Sequence, residues 1–79
     1  MKYEYKTLMN RDGEWVYEDG TDMREAWQKT FGREPGTTDV LNHYGAQGWL
    51  VTTDHAYALG ANNESEVRRI IMRRDLPEA

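Results

Sequence analysis

The sequence predicts an α+β fold: a small antiparallel-rich sheet with one or two helices packed on one face, in the order strand, second strand, helix, helix, strand, strand. Three observations predict it. Residues Lys2 to Met9 alternate with a period of two, the stretch from Met23 to Tyr44 changes to helical spacing, and from Trp49 the period of two returns.

In the first strand Tyr3, Tyr5, Thr7 and Met9 fall on one side and Lys2, Glu4, Lys6 and Leu8 on the other, the pattern of a half-buried strand. Asn10 to Gly13 carries a turn signature, after which Glu14 to Glu18 can return as a short second strand with Trp15 and Tyr17 on one face. Asp19-Gly20 ends it. Asp22 and Glu25 have the spacing of a capping box, and Met23, Ala26, Trp27 and Phe31 recur at helical spacing, so a first helix is expected over 22–31. Gly32 stands where a helix-ending glycine belongs, and Pro35 prevents continuation. A second helix, capped by Thr37 or Thr38, carries Asp39 in its first turn and an apolar stripe of Val40, Leu41 and Tyr44. Gly45 and Gly48 bracket its exit.

From Trp49 a long strand is expected, with Trp49, Val51, Thr53, His55, Tyr57 and Leu59 on one side. Gly60-Ala61-Asn62-Asn63 then turns the chain into a last strand over about 66–74, and the tail at 76–79 is expected to fray. In that strand Val67 and Ile71 fall on one side and Ile70 and Met72 on the other, so both sheet faces carry apolar residues.

Residues 1–79 are too few to divide, and form a single α+β domain. Leu, Ile, Val and Phe make up only about 15% of the chain, a level that can signal disorder. Three Trp, five Tyr, four Met and a modest net charge of −4 answer that signal and point to an aromatic-rich core. A chain this short keeps little stability by itself, and without cysteine it has no disulfide to add any. A homo-oligomer, a dimer first, is therefore expected, with a second copy covering the second apolar face. The opening MKYEYKTLM lacks the apolar stretch of a signal peptide, and no run has the length of a membrane span, so a cytoplasmic protein without membrane association is expected.

The segment Leu41-Asn42-His43-Tyr44-Gly45-Ala46-Gln47-Gly48-Trp49, together with Tyr3-Glu4-Tyr5-Lys6-Thr7 and Ile70-Ile71-Met72-Arg73-Arg74, resembles the DUF4177 family of small bacterial proteins. Members of that family begin YEYK and carry a central L-N-x-x-G-A-x-G-W signature before a final basic strand. The resemblance implies a strand-helix-strand-strand order and assigns no catalytic or binding residue; residues 10–36 are longer than the family pattern. Read physically, Gly48 takes the left-handed conformation that ends a helix, Gly45 and Ala46 let that end lie close to the sheet, and Trp49 anchors the next strand.

No nucleotide-binding loop or nucleophile motif is present, and no cofactor is expected. His43 and His55, even with Asp39, Asp54 or Glu64, have no metal-site spacing, so no metal is expected. The acidic stretch Glu14, Glu18, Asp19, Asp22 and Glu25 reads as a solvated loop and helix start. Arg68, Arg69, Arg73 and Arg74 interleave with Ile70, Ile71 and Met72, and alternation splits them between the two sheet faces. Their plain role is to protect an edge strand and cover apolar surface. Beside Tyr3 and Tyr5 they would instead form a basic, aromatic surface for single-stranded nucleic acid, against which the acidic balance stands.

The leading expectation is a non-enzymatic, self-associating module for protein interaction or regulation. Single-stranded nucleic-acid binding through the tyrosines and arginines is the second. An enzyme or small-ligand binder using His43, His55 and Asp54, its pocket formed between subunits, is the third.

Overall fold

The computed structural model describes residues 2–62 and 64–77. It contains β1 (Tyr3–Arg11), β2 (Glu14–Glu18), β3 (Thr21–Asp22), α1 (Arg24–Phe31), α2 (Thr37–Gly45), β4 (Leu50–Leu59) and β5 (Ser65–Asp75). The strands form one antiparallel sheet in the order β3-β2-β1-β5-β4, with both helices on one face. The α+β class and the order read from the sequence are thus observed, with β3 added between the second strand and the first helix.

Two Asp-Gly pairs make the turns at one side of the sheet. Asp12 (φ 51°) and Gly13 (φ 86°) join β1 to β2, and Asp19 (φ 50°) and Gly20 (φ 83°) join β2 to β3. Positive φ at both central residues defines the turn whose twist matches that of paired strands. The Asn10 side chain accepts the Gly13 N–H at 3.0 Å and fixes the first turn.

Two register shifts change which residues share a face. Asn10 pairs with Trp15 and Met9 with Tyr17, so Val16 is an extra residue in β2. Trp15 therefore joins the core while Tyr17 goes to the opposite face, against the expectation that the two share one. In β4, Val51 pairs with Met72 and Thr53 with Ile71, leaving Thr52 as the extra residue. Its hydroxyl donates to the Ile71 carbonyl at 3.1 Å. Trp49 and Val51 are consequently separated from Thr53, His55 and Tyr57, and the uninterrupted alternation expected from Trp49 to Leu59 is broken.

The helix caps differ in detail from the sequence reading. Met23, not Asp22, precedes α1; Asp22 accepts the Arg24 N–H at 3.0 Å from within β3. Gly36, not Thr37 or Thr38, precedes α2, and the Asp39 carboxylate accepts its N–H at 2.9 Å. The Thr37 hydroxyl accepts the Trp15 indole N–H at 3.3 Å instead. Gly32 ends α1 in the left-handed region at φ 73°, as expected.

The exit of α2 is a Schellman motif. The Trp49 N–H donates to the Tyr44 carbonyl at 3.1 Å, the Gly48 N–H to the Gly45 carbonyl at 3.0 Å, and Gly48 has φ 92°. Trp49 and Tyr44 meet in the core on the two sides of this turn. Gly45 does not have the role expected of it. A Cβ placed there meets nothing within 4 Å, so no close approach to the sheet requires glycine.

The core comprises Leu8, Trp15, Trp27, Val40, Tyr44, Trp49, Ile70 and Met72, with Met23, Phe31 and Leu41 packed against it. All three tryptophans are inside, but Tyr44 alone of the five tyrosines joins them, and Ala26 is exposed. At the end of β5 the Leu76 N–H donates to the Lys2 carbonyl at 2.9 Å, so sheet pairing extends into the expected tail; Asn63 of the expected turn, and Glu78 and Ala79, lie outside the described residues.

The two signature glycines are expected to separate on substitution. Gly48→Ala should lower stability by about 1–2 kcal/mol, because alanine is strained in the left-handed region. Gly45→Ala, in a right-handed helix with open space around its Cβ, should leave stability unchanged or raise it by up to about 1 kcal/mol. Urea unfolding midpoints of the two variants check both.

Candidate nucleic-acid and partner surface

The sheet face opposite the helices is built by alternation from the register. It carries Tyr3, Tyr5, Thr7, Met9 and Arg11 of β1, Tyr17 of β2, Val67, Arg69, Ile71 and Arg73 of β5, and Thr53, His55 and Tyr57 of β4. Among the described residues both helices pack on the other face, and on this one Val67 is covered by its neighbours while Tyr5 stands exposed. Tyr5 opposes Arg73 in the ladder and is 62% exposed. The Arg73 guanidinium lies 4.5 Å from the centre of the Tyr3 ring, and the rings of His55 and Tyr57 stack at 5.6 Å. Beside Tyr17 a shallow hollow of about 270 Å³ is lined by Thr7, Met9, Tyr17 and Gly20.

The structure divides the arginines singled out in the sequence. Arg69 and Arg73 lie on the open face with Tyr3 and Tyr5, whereas Arg68 and Arg74 lie on the helix face and are committed to structure. Arg68 donates two hydrogen bonds to Asp54, at 2.8 and 2.6 Å, and ties β5 to β4. These bonds hold the Asp54 carboxyl below its ordinary pKa of 3.8 and raise that of Arg68. Arg74 pairs with Glu4, donates to the Gln47 carbonyl at 3.2 Å and stacks 4.4 Å above the Trp49 ring. It clamps the signature joint, in which Gly45 and Ala46 are exposed and Trp49 is buried.

Sequence reading missed Tyr17, Tyr57, His55 and Arg11 as members of the open face. The signal that would have found Tyr17 is the alternation beyond Met9, which the extra residue Val16 conceals.

Charge is unevenly shared between the two faces. Among the described residues Arg24, Arg33, Arg68 and Arg74 each have a carboxylate partner, while Arg11, Arg69 and Arg73, all on the open face, have none within 4.0 Å. On the helix face, Lys6 pairs with Glu18 at 3.0 Å and lies over the rings of Tyr44 and Trp49 at 5.4 and 5.0 Å. There the Trp27 indole N–H donates to the Tyr44 hydroxyl at 3.2 Å, and that hydroxyl donates to Glu18. Burial, reinforced by the Glu18 carboxylate, pushes the Tyr44 hydroxyl well above its ordinary pKa, so it stays a neutral donor.

His43 is on α2, its ring against Phe31 at 5.2 Å and Tyr44 at 4.9 Å, while His55 is on the open face of β4. The sheet separates them. No group of three or more His, Cys, Asp or Glu side chains able to hold a metal is found among the described residues, and no helix among them is long and apolar enough to cross a membrane. No family model, curated protein or solved structure matches the chain.

Tyr44→Phe should destabilise the fold by about 1–3 kcal/mol, because it leaves Glu18 and the Trp27 indole each short of a hydrogen-bond partner. Chemical denaturation measures it. The stability that Asp54 contributes is fully present above its unfolded-state pKa, near 3.8, and is lost as pH falls through the lower folded value. Asp54→Asn should therefore show a smaller drop in urea midpoint between pH 5 and pH 3 than the unsubstituted protein.

Proposed function

We propose that the protein is a small cytoplasmic, non-enzymatic module that pairs with a second copy through the edge of β4 and presents its open sheet face to a partner. The observation that carries the reading is the state of β4. Tyr57 alone of its ten residues is part-covered, the rest being exposed, and its outer edge has no neighbouring strand among the described residues. Exposed strand edges normally carry lysine, proline or inward charge that prevents pairing. From Leu50 to Leu59 there is no Lys, Arg or Pro; the single charge, Asp54, is held by Arg68, and the bulge at Thr52 lies near the strand's start. At the other edge of the sheet β3 has only 2 residues and offers no such template.

A second copy fits this edge. Leu50, Val51 and Leu59, exposed at 63%, 45% and 41%, stand at its two ends. Antiparallel pairing about a two-fold axis sets Leu50 and Val51 of one copy against Leu59 of the other, twice over. Face-to-face association, the arrangement expected from the two apolar faces, would instead bring three arginines without carboxylate partners from each copy together. The non-enzymatic part of the reading rests on the separation of His43 from His55. The likeness of Leu41 to Trp49 to the DUF4177 signature adds no site residue to it.

Light scattering across a concentration series should give a mass of twice 9.3 kDa at micromolar concentrations, and Leu50→Lys with Leu59→Lys should return it to 9.3 kDa. A monomer persisting to several hundred micromolar would count decisively against self-association.

A further inference from the structure

We infer that the open sheet face is a binding site for single-stranded nucleic acid, in which Arg11, Arg69 and Arg73 meet backbone phosphates while Tyr3, Tyr5, Tyr17 and Tyr57 offer rings to unpaired bases. The inference stands independently of β4 pairing, because the site lies on a face and not at the edge.

Charge complementarity selects an anionic partner. In a chain of net charge −4, the three arginines without carboxylate partners are gathered on one face. The acids sharing that face by register are Glu14, opposite Arg11, Asp75, opposite Tyr3, and Asp22, opposite Tyr17 on the outermost strand and held by Arg24, all at strand ends. Between them the centre of the face is free of carboxylates. Arg69 stands in one ladder row with Tyr17, Met9 and His55, and Arg73 in another with Tyr5 and Leu50. The two rows are four residues apart along β5, which places the cations roughly 13 Å from one another. That spacing suits two phosphates of an extended single strand separated by about two nucleotides.

The aromatic residues select within the anions. Tyr5 is 62% exposed and has no ring against it, Tyr3 already stacks on Arg73, and Tyr57 on His55. Stacking on a sheet face of this kind takes two or three unpaired bases and tolerates any sequence, since every base has a π face. The hollow of about 270 Å³ beside Tyr17 adds a recess at one end of the row that contains Arg69. An acidic peptide would satisfy the arginines but not the rings, and duplex nucleic acid keeps its bases stacked internally.

Fluorescence anisotropy with a labelled 15-nucleotide oligothymidylate, titrated with the 79-residue protein, tests the site. Three phosphate contacts predict a slope of log K against log salt of about −2, and so an affinity about 20-fold weaker at 200 mM than at 50 mM salt. Arg69→Gln with Arg73→Gln should reduce that slope to about −0.7. Tyr5→Ala should weaken binding about tenfold with the slope unchanged. Lys29→Gln, on α1 and paired with Glu25 away from the face, should bind normally, and circular dichroism of each variant reports whether it remains folded. Failure to bind at 100 µM protein and low salt would overturn the inference. So would binding indifferent to Arg69, Arg73 and Tyr5 in folded variants, equal affinity for a duplex of the same length, or equal affinity for polyglutamate, which would assign the arginines to an acidic peptide. Val51→Lys with Ala58→Lys, which burden the same edge from the helix face and leave the open face as it is, should still bind, so binding by that variant separates this result from the fate of β4 pairing.

Discussion

Tyr44 holds the architecture together through three different parts of one residue. Its carbonyl accepts the N–H groups of Gln47 and Trp49 at 3.0 and 3.1 Å, which stops α2 and aims the chain into β4. Its hydroxyl receives the Trp27 indole of α1 and donates to Glu18 of β2. Its ring is buried among the core side chains and has Lys6 of β1 above it. Both helices and three of the five strands are thereby referenced to a single side chain and its backbone. The polar bonds matter because a buried hydroxyl without partners costs more than its hydrogen bonds return. With both bonds made, the site favours one arrangement of the helices over the sheet.

The second constraint is one of area. Helices of 8 and 9 residues are about 12–14 Å long, whereas strands of 9–11 residues reach about 30–36 Å. Two such helices cannot cover one face of the sheet, and none is left for the other. The part left bare is the far end of the β4–β5 hairpin, which gives the molecule extents of 49 × 29 × 20 Å. An exposed edge strand and an open face are thus the same deficit of covering structure seen from two directions. The aromatic content follows that division. The tryptophans fill the covered side, where indole N–H groups find Thr37 and Tyr44, and four tyrosines occupy the open side, where a ring with a polar tip tolerates water.

Much of this was legible before any coordinates, because local chemistry dictates it. The alternation of Tyr3 to Met9, the Asp-Gly turns, the left-handed Gly32 and Gly48, and the placement of Trp49 all depend on interactions within a few residues. The elements that escaped the sequence depend on pairing between strands. Val16 and Thr52 are ordinary strand residues by composition, and only the register against β1 and β5 shows each to be extra. One extra residue reverses every face assignment that follows it, which is why Tyr17 was grouped with Trp15, and His55 and Tyr57 with Trp49. Gly45 illustrates the opposite error. Its position in a glycine-rich joint suggested a tight approach, but the space around it is open, and Gly48 alone supplies the conformation the turn needs.

The arginine pairs near the C-terminus show how far parity alone can separate identical side chains. Arg68 and Arg69 are adjacent, as are Arg73 and Arg74, so each pair sends one guanidinium to either face. On the helix face the neighbours are Asp54, Glu4 and Trp49, and the charges are consumed in clamps between strands and across the α2 exit. On the open face the neighbours are Met9, His55, Tyr3 and Tyr5, which neutralise nothing. A guanidinium over a tyrosine ring gains from the contact yet keeps its donors free for a second partner. Protection against edge-to-edge pairing would place the cations at a strand edge. Instead Arg69 and Arg73 stand on β5, paired on both sides and so away from either edge of the sheet. A central strand needs no protection from edge pairing, so the stems of Arg69 and Arg73 flank Val67 and Ile71 while their charged heads, free of carboxylates, stay available on the open face.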